Sequence, residues 1–572
     1  MFSPTKSARI KNLPPALAQA QERQTPVSQD EVDAVVALLK SGKVSAALSE
    51  AQRLAQRAPD LVPLLDIQGT CLKALGDLPG ALGCFKRSLE VGGSTAIGHF
   101  NIGSTLLQLK LVDQATEHLS QAVVLDPANV EMGTKLAVSL NTQGQFMEAV
   151  HIVSALIKNS PVSDELLNVL GQALWRLGRL TEAKTCFGSI SKSTKLGEEA
   201  QCQLGLIALA ENEKEAARKH FSDALEVNPK LTTAHRCLSL VTTYETDHPH
   251  IGEMLQLLDE PGLRPTDESK LRFALYKALN DAKQYDTAFM HLKCGNDLEN
   301  QALGYSTEKE EGIFAYLKQV FDRPTPAAQS EIAFRPIFIV GLPRSGTTVT
   351  ERALCGCSNV AGVGELQYAT TAMSKLMKQV LASEQGEFTQ VQAQSLRDAL
   401  SQAMQNHAEG AAVIIEKTPL NFRWIGGLLA AFPEARIIYT TRPARDQLWS
   451  LYQVNLLGDA NGFCYSLDDI ANYQALTQDL MQHWMQLFPD RIFHLDFTDL
   501  TREPEEHIRT LVDFCDLEWS DDCLHPEKQN KAIQTASALQ ARKAIYHRPT
   551  PDWLPYEAHL ERAFCQLDKL GL

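Results

Sequence analysis

Pro336-Ile-Phe-Ile-Val-Gly-Leu-Pro-Arg-Ser-Gly-Thr-Thr348 reads as a strand that breaks abruptly into a turn. The apolar run Ile337–Val340 ends in a segment holding Gly341, Pro343 and Gly346, and hydroxyl residues then open a helix-like stretch. A short apolar run bounded by turn residues is the pattern of a buried strand. Backbone N–H groups in such a turn point inward, and the dipole of the following helix adds partial positive charge, so the turn is suited to hold phosphate.

Further apolar runs of strand length follow at Ala412–Ile415, Arg436–Thr440 and Arg491–Asp496, separated by helix-like stretches such as Leu420–Ala431 and Arg445–Leu457. Short buried strands alternating with helices predict βαβ units and a parallel sheet. Ligands of such sheets gather at the carboxyl ends of the strands.

The chain before this segment repeats. Ala47, Ala81, Ala115, Ala149, Ala183 and Ala217 stand 34 residues apart. Gly42, Gly76, Gly144 and Gly178 keep the same period, with Lys110 and Asn212 in the gaps; Gly69, Gly103, Gly171 and Gly205 form another series, and Pro59, Pro127, Pro161 and Pro229 a fourth. The first glycine series fits a left-handed residue ending one helix of a pair. The alanines and second glycine series fit close helix contact, and the prolines a turn into the next repeat. This pattern resembles tetratricopeptide (TPR) repeats, antiparallel helix pairs that stack into a superhelix with a concave face. About six repeats are expected over residues 28–231, after an N-terminal extension at 1–27. Residues 232–330 read as a helical, TPR-like connector in which Lys270–Asn300 forms another helix pair, and Asp322-Arg-Pro-Thr-Pro326 reads as the linker into a second domain at 331–572. The expected fold is thus multidomain: an all-α TPR superhelix followed by an α/β, P-loop-like parallel-sheet domain.

A chain of 572 residues is too long for one ordinary core. Its net charge of −15 argues against a nucleic-acid binder. No apolar run approaches the ~20 residues that a membrane-spanning helix needs, and Met1–Gln24 carries cations without an apolar signal core. The 12 cysteines are scattered, and Cys355-Gly-Cys357 has no second cluster to complete a zinc set. These features predict a cytoplasmic protein with reduced thiols.

Gly341 and Gly346 match the glycines of the pattern G-x-x-x-x-G-K-[ST], but Thr347 occupies the lysine position. That lysine reaches the β- and γ-phosphates of a nucleoside triphosphate, so its replacement argues against ATP or GTP. The stretch Pro343-Arg-Ser-Gly-Thr-Thr348 resembles the 5′-phosphosulfate loop of sulfotransferases that use 3′-phosphoadenosine 5′-phosphosulfate (PAPS). The resemblance implies that Arg344, Ser345, Gly346, Thr347 and Thr348 hold the phosphosulfate. Arg442, after the strand at 436–440, and Ser450, eight residues on, are similar to the family's 3′-phosphate pair. Taken alone, Arg442 reads as a surface ion pair and Ser450 as a neutral helix residue.

Glu365, after Gly362-Val-Gly364, resembles the catalytic glutamate of tyrosylprotein sulfotransferases, where a carboxylate takes the acceptor hydroxyl proton. Cytosolic small-molecule sulfotransferases carry a histidine after a Lys-x pair; here Lys417-Thr-Pro419 has proline there. Lys417 resembles the lysine that stabilises the transferring sulfonate. The segment Thr535–Tyr546 is similar to the family's lid, which implies Ser537 beside the transferring group and Gln540, Arg542 and Tyr546 on the nucleotide. The chain departs from the pattern at Phe497, where the tyrosylprotein enzymes have a tyrosine, and at Asp552, where a cation is frequent. The resemblance implies a PAPS-dependent transferase, with PAPS as co-substrate and no metal. Its acceptor is a hydroxyl, with protein or peptide tyrosine, lipid and glycan all allowed. The repeats read as a docking groove for a peptide or protein, or as an arm for self-association. Helical residues 366–409 are expected to shape the acceptor cleft. The alternatives are a nucleotide-kinase-like enzyme and a scaffold with an inactive transferase domain.

Overall fold

The computed structural model describes residues 27–192, 194–366, 368–408, 410–456, 459–529 and 541–572. Two compact units emerge: the described residues up to Gln143 together with His151–Pro161, and Gly144–Val150 together with Val162–Leu572. The division falls within the helix Phe146–Asn159.

Six helix pairs run from Gln29 to Val227, beginning with Gln29–Lys40 and Val44–Ala55 and ending with Lys195–Ala210 and Lys214–Val227. The turns inside the pairs hold their predicted residue in the left-handed region, at Gly42 (φ 77°) and Gly178 (φ 73°), and also at Lys110 (φ 60°) and Asn212 (φ 70°), where a side chain is present. The second glycine series marks close helix approach. A Cβ on Gly69 would stand 2.6 Å from the Phe85 ring, and one on Gly205 2.3 Å from the Phe221 ring. A further pair, Pro265–Asp281 and Tyr285–Leu303, turns at Lys283 (φ 58°) in the same manner.

The second unit contains a five-stranded parallel sheet. Its strands are β1 (Arg335–Gly341), β2 (Val360–Gly364), β3 (Val413–Glu416), β4 (Arg436–Thr441) and β5 (Ile492–Asp496), in the order β2-β3-β1-β4-β5. The register pairs Ile337 with Ile415 and Gly341 with Thr440. Successive β1 side chains face opposite ways, and both faces are covered, as parallel sheets require. Ile337 and Ile339 pack with Leu354, Ile508 and Leu511. Phe338 and Val340 join a larger cluster that reaches Phe273, Phe289, Phe314 and Phe321 of the preceding helices and Leu567 near the end of the chain. The connector and the sheet therefore share one core.

β2 has no counterpart among the strands read from sequence, because Val360-Ala-Gly-Val-Gly364 carries two glycines in five residues. The stretch read as helical at 366–409 contains two helices, Tyr368–Ala382 and Gln390–Gln405. Cys357 is buried with its Sγ 3.2 Å from that of Cys523, so the Cys355-Gly-Cys357 pair lies in core packing. No helix among the described residues is long and apolar enough to cross a membrane.

Candidate functional site

Parallel strands bring their carboxyl ends to one edge, and each of the five carries a singled-out residue there. Glu365 follows β2, Lys417 follows β3, the turn 342–346 follows β1, Arg442 follows β4 and Phe497 follows β5.

The turn after β1 is built from unusual backbone. Arg344 has φ 73° and Gly346 φ 99°, and Gly346 starts the helix Thr347–Leu354 with no side-chain cap. An uncapped N-terminus with its dipole aimed outward is an anion-seeking end. Ser345 braces the turn: its buried hydroxyl donates to the Leu342 carbonyl at 2.7 Å and lies 2.7 Å from Thr440 Oγ1. Gln447 adds a second brace, donating from Nε2 to the Pro343 carbonyl at 2.6 Å.

A cavity opens over this turn, lined by Arg344, Gly346, Thr347, Thr348, Arg442 and Ser450. Phe497, Lys543, Tyr546, Arg548 and Asp552 complete its far wall. Arg344 Nε donates to Ser450 Oγ at 3.3 Å, which ties the turn after β1 to the helix Ala444–Tyr452. Burial, with Arg442 adding like-charge repulsion, pushes the Arg344 guanidinium down to about 10. Burial also lowers Arg442, which faces Asp446 and Arg548. Cations crowded at a helix N-terminus in a recessed cavity are a donor set for a polyanion, whose charge offsets both repulsion and desolvation.

Glu365 and Lys417 meet each other outside the residues lining that cavity: Lys417 Nζ stands 2.5 Å from Glu365 Oε1. The lysine side chain is fully buried, whereas Glu365 is 44% exposed. Burial alone would lower Lys417, but the Glu365 and Glu351 carboxylates outweigh it and hold the ammonium above its usual value. Backbone bonds lock the pair in place, Lys417 N–H to the Gly364 carbonyl at 2.9 Å and Gly364 N–H to Glu351 Oε1 at 3.0 Å. Glu351 lies on the helix that starts at this turn, so the turn and the ion pair share a support.

Ser345 turns its hydroxyl inward, away from the cavity over the turn. Arg542 lies elsewhere as well: its guanidinium donates to the Ala210 carbonyl, and it does not line that cavity. Ser537 and Gln540 lie outside the described residues. Phe497 packs its ring on the turn, where a Cβ at Gly346 would stand 2.2 Å from it. Asp552 is paired with Arg548.

Three contributors escaped sequence reading. Glu416, fully buried beside Lys417, accepts from Asn421 Nδ2 at 3.0 Å and from the Thr418 hydroxyl, and burial pushes it up to about 7. Its signal was available, since a carboxylate ending a buried strand is unusual. Arg176, on the repeat helix Asp164–Arg176, stacks 5.0 Å above the Phe146 ring and feels the Glu365 carboxylate. Glu351 sits within an otherwise ordinary helix pattern, and its partners, the Gly364 N–H and the Lys417 ammonium, are remote along the chain.

Comparison with known proteins adds to this geometry. Residues 336–521 match the model of a sulfotransferase family, and residues 134–184 and 198–231 match tetratricopeptide repeat models. An uncharacterized protein of Aquifex aeolicus (strain VF5) is 31% identical over 365 residues, covering 61% of this chain and 47% of that protein. A protein-tyrosine sulfotransferase of Drosophila melanogaster is 22% identical over 259 residues, covering 42% and 48% respectively. Protein-tyrosine sulfotransferase 1 of Danio rerio is 26% identical over 204 residues, covering 34% and 56%. The chain thus spans about half the length of these relatives. The matched stretches are thus similar to tetratricopeptide repeats in the first half and to a sulfotransferase family in the second.

Proposed function

We propose that this protein transfers a sulfuryl group from PAPS to an acceptor hydroxyl. One observation carries the reading: Arg344, Arg442 and Arg548 surround a helix N-terminus in one cavity, at the sheet edge where Glu365 and Lys417 also stand. The sulfotransferase-family match over residues 336–521 supports it.

PAPS supplies an activated sulfuryl group whose leaving group is a phosphate oxygen. In this reading the first-turn amides of the helix Thr347–Leu354 and the Arg344 guanidinium hold the 5′-phosphosulfate end. Arg442 and Ser450 hold the 3′-phosphate, and Tyr546 borders the nucleotide. Glu365 accepts the acceptor hydroxyl proton as the new O–S bond forms and the bond from sulfur to the bridging oxygen breaks. Lys417 positions Glu365 through their ion pair and balances charge at the reacting centre; Ser537 is assigned beside it. The residues require no metal, because cationic side chains offset the donor's charge.

The acceptor proposed is a protein or peptide tyrosine. Its support is the naming of the Drosophila and Danio relatives as protein-tyrosine sulfotransferases, together with Arg176 of the repeat region, which feels the Glu365 carboxylate. The repeats then serve to dock that protein, and a reducing cytoplasm is the proposed location. The 12 scattered cysteines suit such a compartment.

Two measurements test the reading. Calorimetric titration with adenosine 3′,5′-bisphosphate is expected to give saturable binding, and its absence would reject the cavity assignment. Incubation of lysate with enzyme and radiolabelled PAPS, followed by separation of protein, lipid and glycan, is expected to place label on protein tyrosine. Label confined to lipid or glycan would overturn the acceptor while leaving sulfuryl transfer intact.

A further inference from the structure

Away from the phosphate cavity, a group of titratable side chains joins the helices Thr232–Val241 and Pro249–Leu258. His235 and His250 are buried, with 2% and 5% exposure. His235 Nε2 lies 2.8 Å from the Pro229 carbonyl oxygen, which only accepts, so Nε2 carries the proton and Nδ1 presents a lone pair. That Nδ1 stands 2.8 Å from His250 Nε2. The other nitrogen of His250, Nδ1, lies 2.7 Å from the Tyr244 hydroxyl. Glu253 follows His250 by one helical turn, and its exposed carboxylate completes a set whose ligand atoms all lie within 4.8 Å of one another.

The geometry points to a divalent metal site of zinc type, formed by His235 Nδ1, His250 Nε2 and the Glu253 carboxylate, with a fourth position for water. Two imidazoles and a carboxylate are a ligand set suited to zinc. Each imidazole has its outer nitrogen on an oxygen, the Pro229 carbonyl or the Tyr244 hydroxyl, and such outer-sphere partners fix the tautomer and ring direction of metal-binding histidines. Zinc–nitrogen bonds of ~2.0–2.1 Å at a tetrahedral angle set the two nitrogens roughly 3.3 Å apart. The rings therefore need to separate by only about half an ångström from their 2.8 Å spacing. The protons balance within the site. The His250 proton moves from Nε2 to Nδ1, where the Tyr244 oxygen accepts it, and none is lost. His248 stands outside the set, because its Nδ1 accepts the His250 backbone N–H at 3.3 Å. The three ligands line no part of the cavity over the β1 turn, and they join the helices on either side of residues 242–248.

The test uses the full-length chain, stripped with a chelator and titrated with ZnCl2 alone by calorimetry, then with CoCl2 under a visible spectrometer. Expected are one equivalent of zinc per chain and cobalt d–d bands of a low-coordinate site. Tyr244→Phe should weaken zinc roughly 10–100-fold, and Glu253→Ala, which removes a ligand, should weaken it further. Glu253 is exposed, so that variant keeps its fold, which circular dichroism checks; His235→Gln is a second variant for the buried side. The proposal is overturned if the wild type takes up no zinc saturably, or if Glu253→Ala binds it with unchanged affinity. In either case the histidines form a hydrogen-bond relay alone.

Discussion

The Glu365–Lys417 ion pair offers a direct test of the proposed proton transfer. Glu365→Gln keeps the hydrogen bond from Lys417 but loses the proton acceptor. Turnover should fall ~10²–10⁴-fold, while calorimetric affinity for adenosine 3′,5′-bisphosphate stays constant; unchanged turnover removes Glu365 from the mechanism. Arg442→Ala should weaken that bisphosphate by ~1.5–3 kcal/mol, the value of a charge-assisted hydrogen bond, and an unaltered dissociation constant rejects the 3′-phosphate assignment. Glu416 makes a pH prediction. Burial raises it to about 7 in the folded chain, against ~4.3 for an unperturbed glutamate. The folded state thus binds its proton more tightly than the unfolded state does. The stability it contributes is full below the unfolded value and is lost as pH rises through about 7. Urea denaturation at pH 5 and pH 8 should therefore show Glu416→Gln gaining on the wild type at the higher pH, and a pH-independent difference would refute this. At this scale the candidates Arg344, Glu365, Lys417, Arg442 and Ser450 were picked out by their neighbours in sequence, and the fold brings Arg344 to Ser450 and Lys417 to Glu365. Glu351 and Arg176 were not, because their partners, Gly364 and Glu365, are remote along the chain.

The turn between β1 and the helix Thr347–Leu354 behaves as one element. A methyl at Gly346 meets the Phe497 ring at 2.2 Å, and the position has φ 99°. Gly346→Ala should lose bisphosphate affinity and, through backbone strain alone, cost ~1–3 kcal/mol in urea denaturation. Adding Phe497→Ala should restore only part of it, since the φ penalty stays; full recovery would show that contact, not backbone, restricts the site. The helix pairs were readable because a fixed 34-residue period superimposes turn and contact positions six times. β1, β3, β4 and β5 were readable as apolar runs. β2 was not, because glycines replace the side chains that mark a strand, and its pairing with β3 supplies the stability that its composition lacks. Arg542 shows the converse: a basic residue in a nucleotide-lid pattern is taken up by the Ala210 carbonyl of a repeat helix.

Across the second unit, one apolar cluster runs from Tyr244 through the connector helices to the sheet and on to Leu567. Residues 331–572 expressed alone would expose the surface that Phe273, Phe289, Phe314 and Phe321 cover. That fragment should aggregate or melt without cooperativity, whereas residues 162–572 should fold, as chromatography and calorimetry can establish. A monodisperse, cooperative 331–572 fragment would show that the connector is dispensable. The sequence by itself determined the repeat period, the strand–turn–helix at 336–354 and the order of four of the five strands with their helices, since these depend on spacing between near neighbours. It also pointed to the residues that follow each strand. Only the tertiary structure decided that Lys417 pairs with Glu365 rather than lining the cavity, that Arg542 turns to a repeat helix, and that connector and sheet share a core. The reason is physical: charge pairing and apolar burial act between groups close in space whatever their separation along the chain, and no local pattern records which distant partner is nearest.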